Sequence, residues 1–270
     1  MPPSRRPPRL CCLLTLALAQ LFPHVPAQAQ GQAPEPVLKL VTYHFPPYSH
    51  GEAGNPLAPS GPLVALVREI CKAAAVRCEI EIVPWLRAQE YVRAGRADGI
   101  FPITPNPAWN DRISYTEPLA IGEYGVFVQQ ASPLAYHAPA DLRGMTIAVQ
   151  GPSNMSSVLE DLQRAAGSMQ IERRPDAESG FRKLMIGRVD AVFANRALGE
   201  AIIMRLSGHG LRYAGTATRI SYYMGFTSRL TGQDKVTRFT RATAELSATG
   251  RLGQILSSQS GSAQIAPKQK

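Results

Sequence analysis

From residue 37 onward, short apolar runs alternate with segments whose apolar residues recur at helical spacing. Residues 37–43 predict a strand, stopped by Pro46-Pro47. Leu63, Leu66, Val67, Ile70 and Ala74 share one helical face, with Ser60 as the expected cap and Pro62 in the first turn. A short strand over 79–83 and a helix over 86–94 follow, the helix ended by Gly95. Apolar strands are expected over 97–103 and 125–129. A strand over 146–150 runs straight into Gly151 and a helix beginning near Ser153. Residues 181–186, 189–194 and 197–206 continue as helix, strand and helix. This rhythm predicts parallel sheets covered by helices, an α/β fold.

One stretch recurs. Gly95-Arg96-Ala97-Asp98-Gly99-Ile100-Phe101 is echoed by Gly187-Arg188-Val189-Asp190-Ala191-Val192-Phe193. Each copy follows a helical segment and enters a strand, so the glycine serves as the residue past the helix end and the aspartate starts the strand. Chance likeness between two helix–glycine–strand corners would look the same. The alternative is two lobes of similar construction, each with its own sheet. Ligands of α/β sheets bind beyond the carboxyl ends of strands, so 101–104 and 193–196 would border a site in the cleft between lobes.

The apolar stretch 10–22 has a different character. It follows Arg5, Arg6 and Arg9 and precedes Ala27-Gln28-Ala29, the pattern of a cleavable export signal over 1–29. It is too short for a membrane span of roughly 20 residues. Prolines after Ser4-Arg5-Arg6 argue against twin-arginine export, and Cys11 and Cys12 open the apolar segment instead of closing it, unlike a lipid-anchor cysteine. Cleavage after Ala29 would leave 270 − 29 = 241 residues and lower the formal charge from +9 to +6 by removing three arginines. No later stretch approaches a membrane span, so a soluble periplasmic protein is expected.

Composition narrows the classes further. With 44% hydrophobic residues the chain can bury a core, which excludes global disorder. Four cysteines are too few for a disulfide-dense miniprotein. The 29 Lys and Arg outnumber the 20 Asp and Glu, but they are spread along the chain without a run, so nucleic acid is not an expected partner. His44, His50, His137 and His209 stand apart, none at metal-ligand spacing, so neither metal nor cofactor is expected.

Several short motifs occur in a telling order. They are Phe45-Pro46-Pro47-Tyr48-Ser49, Gly61, Glu69-Ile70-Cys71-Lys72 with Cys78 seven on, and Gly95-Arg96-Ala97-Asp98. Arg112 with Ser114-Tyr115-Thr116-Glu117-Pro118-Leu119, then Asp141-Leu142-Arg143-Gly144, Gln150-Gly151-Pro152-Ser153 and Gly187-Arg188-Val189-Asp190 complete the set. In these motifs the chain resembles the two-lobe periplasmic solute-binding proteins, family 3, that serve amino-acid ABC transporters, over nearly all of 37–258. The likeness is strongest to the lysine/arginine/ornithine- and histidine-binding proteins. It implies a type II periplasmic-binding-protein fold, each lobe a mostly parallel sheet flanked by helices. It also implies a discontinuous first lobe (30–123 plus 219–262), a second lobe (124–218), a hinge near 121–124 and 216–222, and a disordered tail at 263–270. The implied partners are a small-molecule ligand and a membrane-embedded ABC transporter permease, with the protein itself a monomer. Cysteines at the spacing of Cys71 and Cys78 are paired in the best-matching relatives, which implies a disulfide; two buried thiols remain the alternative.

The same likeness places the ligand. Phe45 and Trp85 stand where the family has the aromatic faces of its pocket, with Tyr48 in the same opening motif; the alternative is that they are core aromatics. Trp109, the second tryptophan, falls on the same side. Arg112 stands near the arginine that grips the ligand carboxylate, but its interval from Thr104 is about two residues too long, and a solvated surface arginine is the alternative. Ser153 and Asn154 open a helix whose free amides suit an anion, and Ser153 could equally be a plain cap. Asn195 replaces the aspartate that pairs with the ligand ammonium, and Thr42 replaces an acid of the basic-amino-acid binders. A carboxylate-bearing, neutral or anionic solute is therefore expected. The fold is also that of cyclohexadienyl dehydratases, whose catalytic glutamate follows the second Gly-Arg-x-Asp strand. Residues 194–198 supply no carboxylate and Glu200 is displaced by two, so an enzyme is the less favoured reading.

Overall fold

The computed structural model describes residues 37–51, 59–106, 112–207, 210–227 and 233–259. The expected signal peptide (1–29), the expected tail (263–270), Trp109 and His209 lie outside the described residues. In chain order the first elements are β1 (Leu38–Thr42), β2 (His50–Gly51), β3 (Pro59–Ser60), α1 (Pro62–Ala73), β4 (Cys78–Ile82), α2 (Trp85–Arg93), β5 (Gly99–Ile103) and β6 (Ile113–Tyr115). Then come β7 (Ala120–Gln129), β8 (Thr146–Gln150), α3 (Asn154–Ala166), β9 (Gln170–Arg174), α4 (Ala177–Met185), β10 (Ala191–Asn195) and α5 (Arg196–Arg205). The chain continues with β11 (Leu211–Thr227), α6 (Gln233–Ala248) and α7 (Arg251–Gln259). No helix among the described residues is long and apolar enough to cross a membrane.

Two groups of parallel strands, each central strand flanked on both sides, make two lobes. In the first, β1 lies between β4 and β5; in the second, β8 lies between β9 and β10. Two long strands join them. β7 and β11 pair antiparallel from Ala120↔Tyr222 to Gln129↔Leu211. Beyond that ribbon the end of β11 pairs with β5 and β6, while β7 pairs with β10, so the sheet order is β4-β1-β5-β11-β7-β10-β8-β9 with β6 beside β11. The sheet is therefore mixed: parallel within each group and antiparallel where the two strands cross between them. Helices α1, α6 and α7 pack together on the first lobe.

The recurring corner does the same work in both lobes. Gly95 and Gly187 adopt left-handed conformations, with φ of 70° and 68°, which a glycine reaches without the steric cost a Cβ imposes. Three residues on, Asp98 Oδ2 accepts the Lys39 amide at 2.7 Å and Asp190 Oδ2 accepts the Thr146 amide at 2.8 Å. Each aspartate thus ties the end of one helix to the first residues of the lobe's central strand.

Two local expectations change, and one further strand forms. Ser60 does not cap α1: Gly61 precedes the helix at φ 109°, and Ser60 pairs with His50, its hydroxyl donating to the His50 carbonyl at 3.2 Å. A Cβ on Gly61 would sit 2.7 Å from the Tyr48 carbonyl oxygen, so the close approach requires glycine. β9, with a single apolar residue in Gln-Ile-Glu-Arg-Arg, forms as an edge strand beside β8. β11 runs for 17 residues, well beyond the expected crossing segment. Cys71 and Cys78 are joined by a disulfide across a Cα–Cα distance of 6.2 Å, stapling the end of α1 to the start of β4.

Candidate ligand-binding site

The carboxyl ends of β1, β5 and β8 and the crossing strands converge between the lobes. Tyr43 follows β1, Phe45 and Tyr48 belong to the turn after it, and Trp85 opens α2. A tight turn carries this group: the Phe45 carbonyl accepts both the Tyr48 and Ser49 amides, and the Phe45 amide returns a bond to Ser49 O. The rings then pack on one another. Tyr43 meets Trp85 with centroids 4.6 Å apart, and Phe45 stacks on Tyr48 at 5.4 Å and 19°. The edge of Tyr222, from β11, meets Phe45 at 5.5 Å.

The second lobe contributes a helix start. Ser153 caps α3, its Oγ accepting the Ser156 amide at 3.2 Å and donating to the Gln150 carbonyl at 2.6 Å. The amides of Asn154 and Met155, at the first two helical positions, have no acceptor within the helix. Across the gap, Trp85 donates its indole Nε1–H to the Pro152 carbonyl at 2.8 Å. The lobes are in contact there.

Between them lies a cavity of about 30 Å³ walled by Tyr43, Phe45, Trp85, Pro102, Ile103, Thr104, Tyr124, Gln150, Ser153, Asn154, Met155 and Tyr222. Phe45, Trp85, Thr104, Ser153 and Asn154 are thus brought together on one cavity wall. Among the described residues its walls carry no charged side chain. Its polar surface is a network of hydroxyls and amides centred on Tyr124. Burial pushes the Tyr124 hydroxyl up to about 12, while hydrogen bonds with Asn154, Tyr222 and Thr104 pull the other way. Burial holds Tyr43 and Tyr222 well above the ordinary tyrosine value, and the Tyr43 hydroxyl donates to Pro102 O at 3.1 Å. These tyrosines are neutral at physiological pH.

Four of the residues weighed in the sequence sit elsewhere. Asn195 is fully buried behind the cavity: Nδ2 donates to the Tyr222 hydroxyl at 3.0 Å, and Oδ1 accepts the Leu198 amide at 3.0 Å, capping α5. Gly122 permits that packing, since a Cβ there would lie 2.7 Å from Asn195 Nδ2. Tyr48 shares a hydrogen bond with Asn195 and stands behind Phe45 instead of on the cavity wall. Arg112 is exposed just before β6 and is not on the wall either. Thr42 is buried, donating to Ser49 Oγ at 3.2 Å.

Sequence reasoning passed over Tyr43, Tyr124, Gln150 and Tyr222. Gln150 is the last residue of a predicted strand, the position where α/β sheets meet their ligands. Tyr124 and Tyr222 fall within the two expected crossing segments, and strands that cross between lobes necessarily floor the cleft.

Residues 38–259 match the family model of the bacterial extracellular solute-binding proteins, family 3. Solved structures are similar over most of the chain. A histidine kinase sensor domain with similarity to periplasmic binding proteins is 21% identical, with a TM-score of 0.72, covering 83% of this chain and 96% of that one. An ancestral arginine-binding protein bound to arginine is 18% identical, with a TM-score of 0.71, covering 83% and 97%. The arginine-, lysine-, histidine-binding protein ArtJ from the thermophilic bacterium Geobacillus stearothermophilus is 19% identical, with a TM-score of 0.70, covering 85% and 97%. At these identities the likeness establishes the fold. No curated protein matches the chain.

Proposed function

The chain belongs to the bacterial extracellular solute-binding proteins, family 3, and from that premise we propose that it captures a small, polar, carboxylate-bearing, amino-acid-like solute between its lobes and delivers it to a membrane-embedded ABC transporter permease. The observation that carries this reading is a cavity walled by Phe45, Trp85 and Thr104 from one lobe and by Ser153 and Asn154 from the other. A solute seated there touches both lobes at once, so its binding free energy favours their closed arrangement. β7 and β11 serve as the hinge near 121–124 and 216–222, dividing 30–123 plus 219–262 from 124–218. Hinge closure is a signal that a membrane partner can read.

The carboxylate is assigned to the start of α3, where the Asn154 and Met155 amides point their unmet hydrogen-bonding capacity outward and the helix dipole favours an anion. Arg112 is outside the wall and has no part in this assignment. With tyrosines held neutral and no acid on the wall, a solute of neutral or negative overall charge is the better fit. The reading includes export to the periplasm by the segment 1–29 and action as a monomer.

A receptor is favoured over an enzyme because residues 194–198 place no carboxylate at the position the dehydratases use. Glu200, the carboxylate nearest the dehydratase position, is exposed on α5 and engaged by Arg196 Nε at 2.9 Å. A thermal-unfolding panel of amino acids and small carboxylates tests the reading. A true ligand at a hundred times its Kd stabilises by about 2.7 kcal/mol. The absence of any stabilising solute, or turnover of prephenate or arogenate, overturns it.

A further inference from the structure

The small cavity is not where the space is. At about 30 Å³ it holds on the order of one or two waters. A second cavity of about 470 Å³ lies beside it and shares Tyr43, Trp85 and Gln150 as walls. That volume falls within the range of roughly 300–1,000 Å³ typical of sites that enclose an organic ligand. It too is built from both lobes. Ile82 and Val83, at the end of β4, face it from one side, and Ala177 of α4 with Leu198 and Ile202 of α5 face it from the other.

The chemistry of this outer space differs from that of the inner one. Its depth is aliphatic and aromatic; Ile82, Val83, Leu198 and Ile202 are all buried. Asp176, Glu178, Arg205 and His44 add polarity. Both carboxylates are already engaged. Glu178 pairs with Arg205 and, at 2.6 Å, with Arg182, and Asp176 Oδ1 accepts the Ser179 amide at 2.7 Å as the cap of α4. A cationic group entering the space would compete with those partners, whereas an uncharged apolar group meets matching walls.

We propose that the outer cavity is the main recognition volume of the cleft and that the solute is amphipathic. Its polar head lies at the hydroxyl and amide end beside Tyr124 and Asn154, and an uncharged aromatic or branched aliphatic body fills the outer cavity against Tyr43, Trp85 and Ile202. An aryl- or aralkyl-carboxylate is the fitting class. This rests on the reading that the cleft binds a solute, and it adds that recognition depends on an apolar body outside the inner cavity.

The test is calorimetric titration of the whole chain with acetate, phenylacetate, phenylbutyrate and indoleacetate, alongside glycine, serine and glutamine. Affinity should rise by at least about tenfold from acetate to the aryl acids, because each aryl group buries apolar area. Ala177→Trp fills the outer cavity from the first turn of α4 and should weaken the aryl acids by at least about tenfold. Pro175→Trp, on the exposed rim, repeats the test without loading the core. If serine or glutamine binds best and neither variant alters its affinity, the solute-binding reading stands and this inference falls. Aryl acids that bind equally well to wild type and both variants also overturn it. If nothing in either set binds, the inference and the reading beneath it fall together.

Discussion

Trp85, from the first lobe, donates its indole Nε1–H to the carbonyl of Pro152, in the second, at 2.8 Å. The bond spans 67 positions in sequence and crosses the cleft beside both cavities, since Trp85 walls each of them. Trp85→Phe keeps an aromatic face against Tyr43 but removes the donor and one ring of the indole. A net hydrogen bond is worth about 0.5–1.5 kcal/mol, so solute affinity should fall by roughly two- to twelvefold. Ligand-induced change in intrinsic fluorescence should largely vanish in the same variant. Unchanged affinity together with a wild-type fluorescence response would show that this contact does not help hold the lobes shut.

Asn195→Asp sharpens the difference between a cleft residue and a structural one. The family likeness led to the expectation that aspartate here would recruit a ligand ammonium. The structure instead buries the side chain completely between Tyr222 and the start of α5. A carboxylate in that place loses the donor to Tyr222 and is desolvated, which raises its pKa above the unfolded value near 3.9. Raised carboxyl pKa means stability is retained below that unfolded value and is lost as pH rises through the folded one. At neutral pH the variant should be about 3–5 kcal/mol less stable than wild type, with the gap closing toward acid. Denaturation curves that run parallel across pH would place the carboxylate in contact with water, on the cleft side.

The tyrosine network carries its own pH signature of opposite sense to acid denaturation. Tyr124 ionises in the unfolded chain near 10.0 but in the folded protein only at about 12, and Tyr43 and Tyr222 are raised as well. A raised pKa contributes stability in full below the unfolded value and loses it as pH climbs toward the folded one. Each unit is worth about 1.4 kcal/mol, so Tyr124 alone should withdraw about 3 kcal/mol across that window. Chemical denaturation at stepped alkaline pH, followed with tyrosinate absorbance, should show stability flat below the window and falling through it. Tyr124→Phe should flatten part of the fall.

Reducing the Cys71–Cys78 bridge should lower stability by about 2–3 kcal/mol, the value expected for a short closed loop. Alkylating the unreduced, denatured protein should leave both of these cysteines unmodified. The double Cys→Ser variant should show the same loss with solute affinity unchanged, because the bridge joins α1 to β4 and neither cysteine walls a cleft cavity. Uptake of alkyl groups at these positions before reduction would mean that the bridge does not form.

Most of the strand and helix order between 37 and 206, the glycine–aspartate corners and the capped start of α3 could be read from the sequence because they are local. Hydrophobic periodicity, a left-handed glycine at 95 and 187 and a serine at 153 act within a few residues of themselves. Thr104, Ser153 and Asn154 follow predicted strands closely, where α/β sheets expose their ligand-binding ends, whereas Phe45 and Trp85 were singled out by the family likeness. β9 was not, since an edge strand with one apolar residue owes its form to its neighbour β8. Only the tertiary structure decided which side chains meet. Tyr43, Tyr124 and Tyr222 come from three distant segments and share one buried network because β7 and β11 cross between the lobes. The same crossing puts Asn195 behind Tyr222, leaves Arg112 off the wall and moves most of the cleft's volume out beyond Trp85. Burial and distance belong to the packed chain, and no residue spacing encodes them.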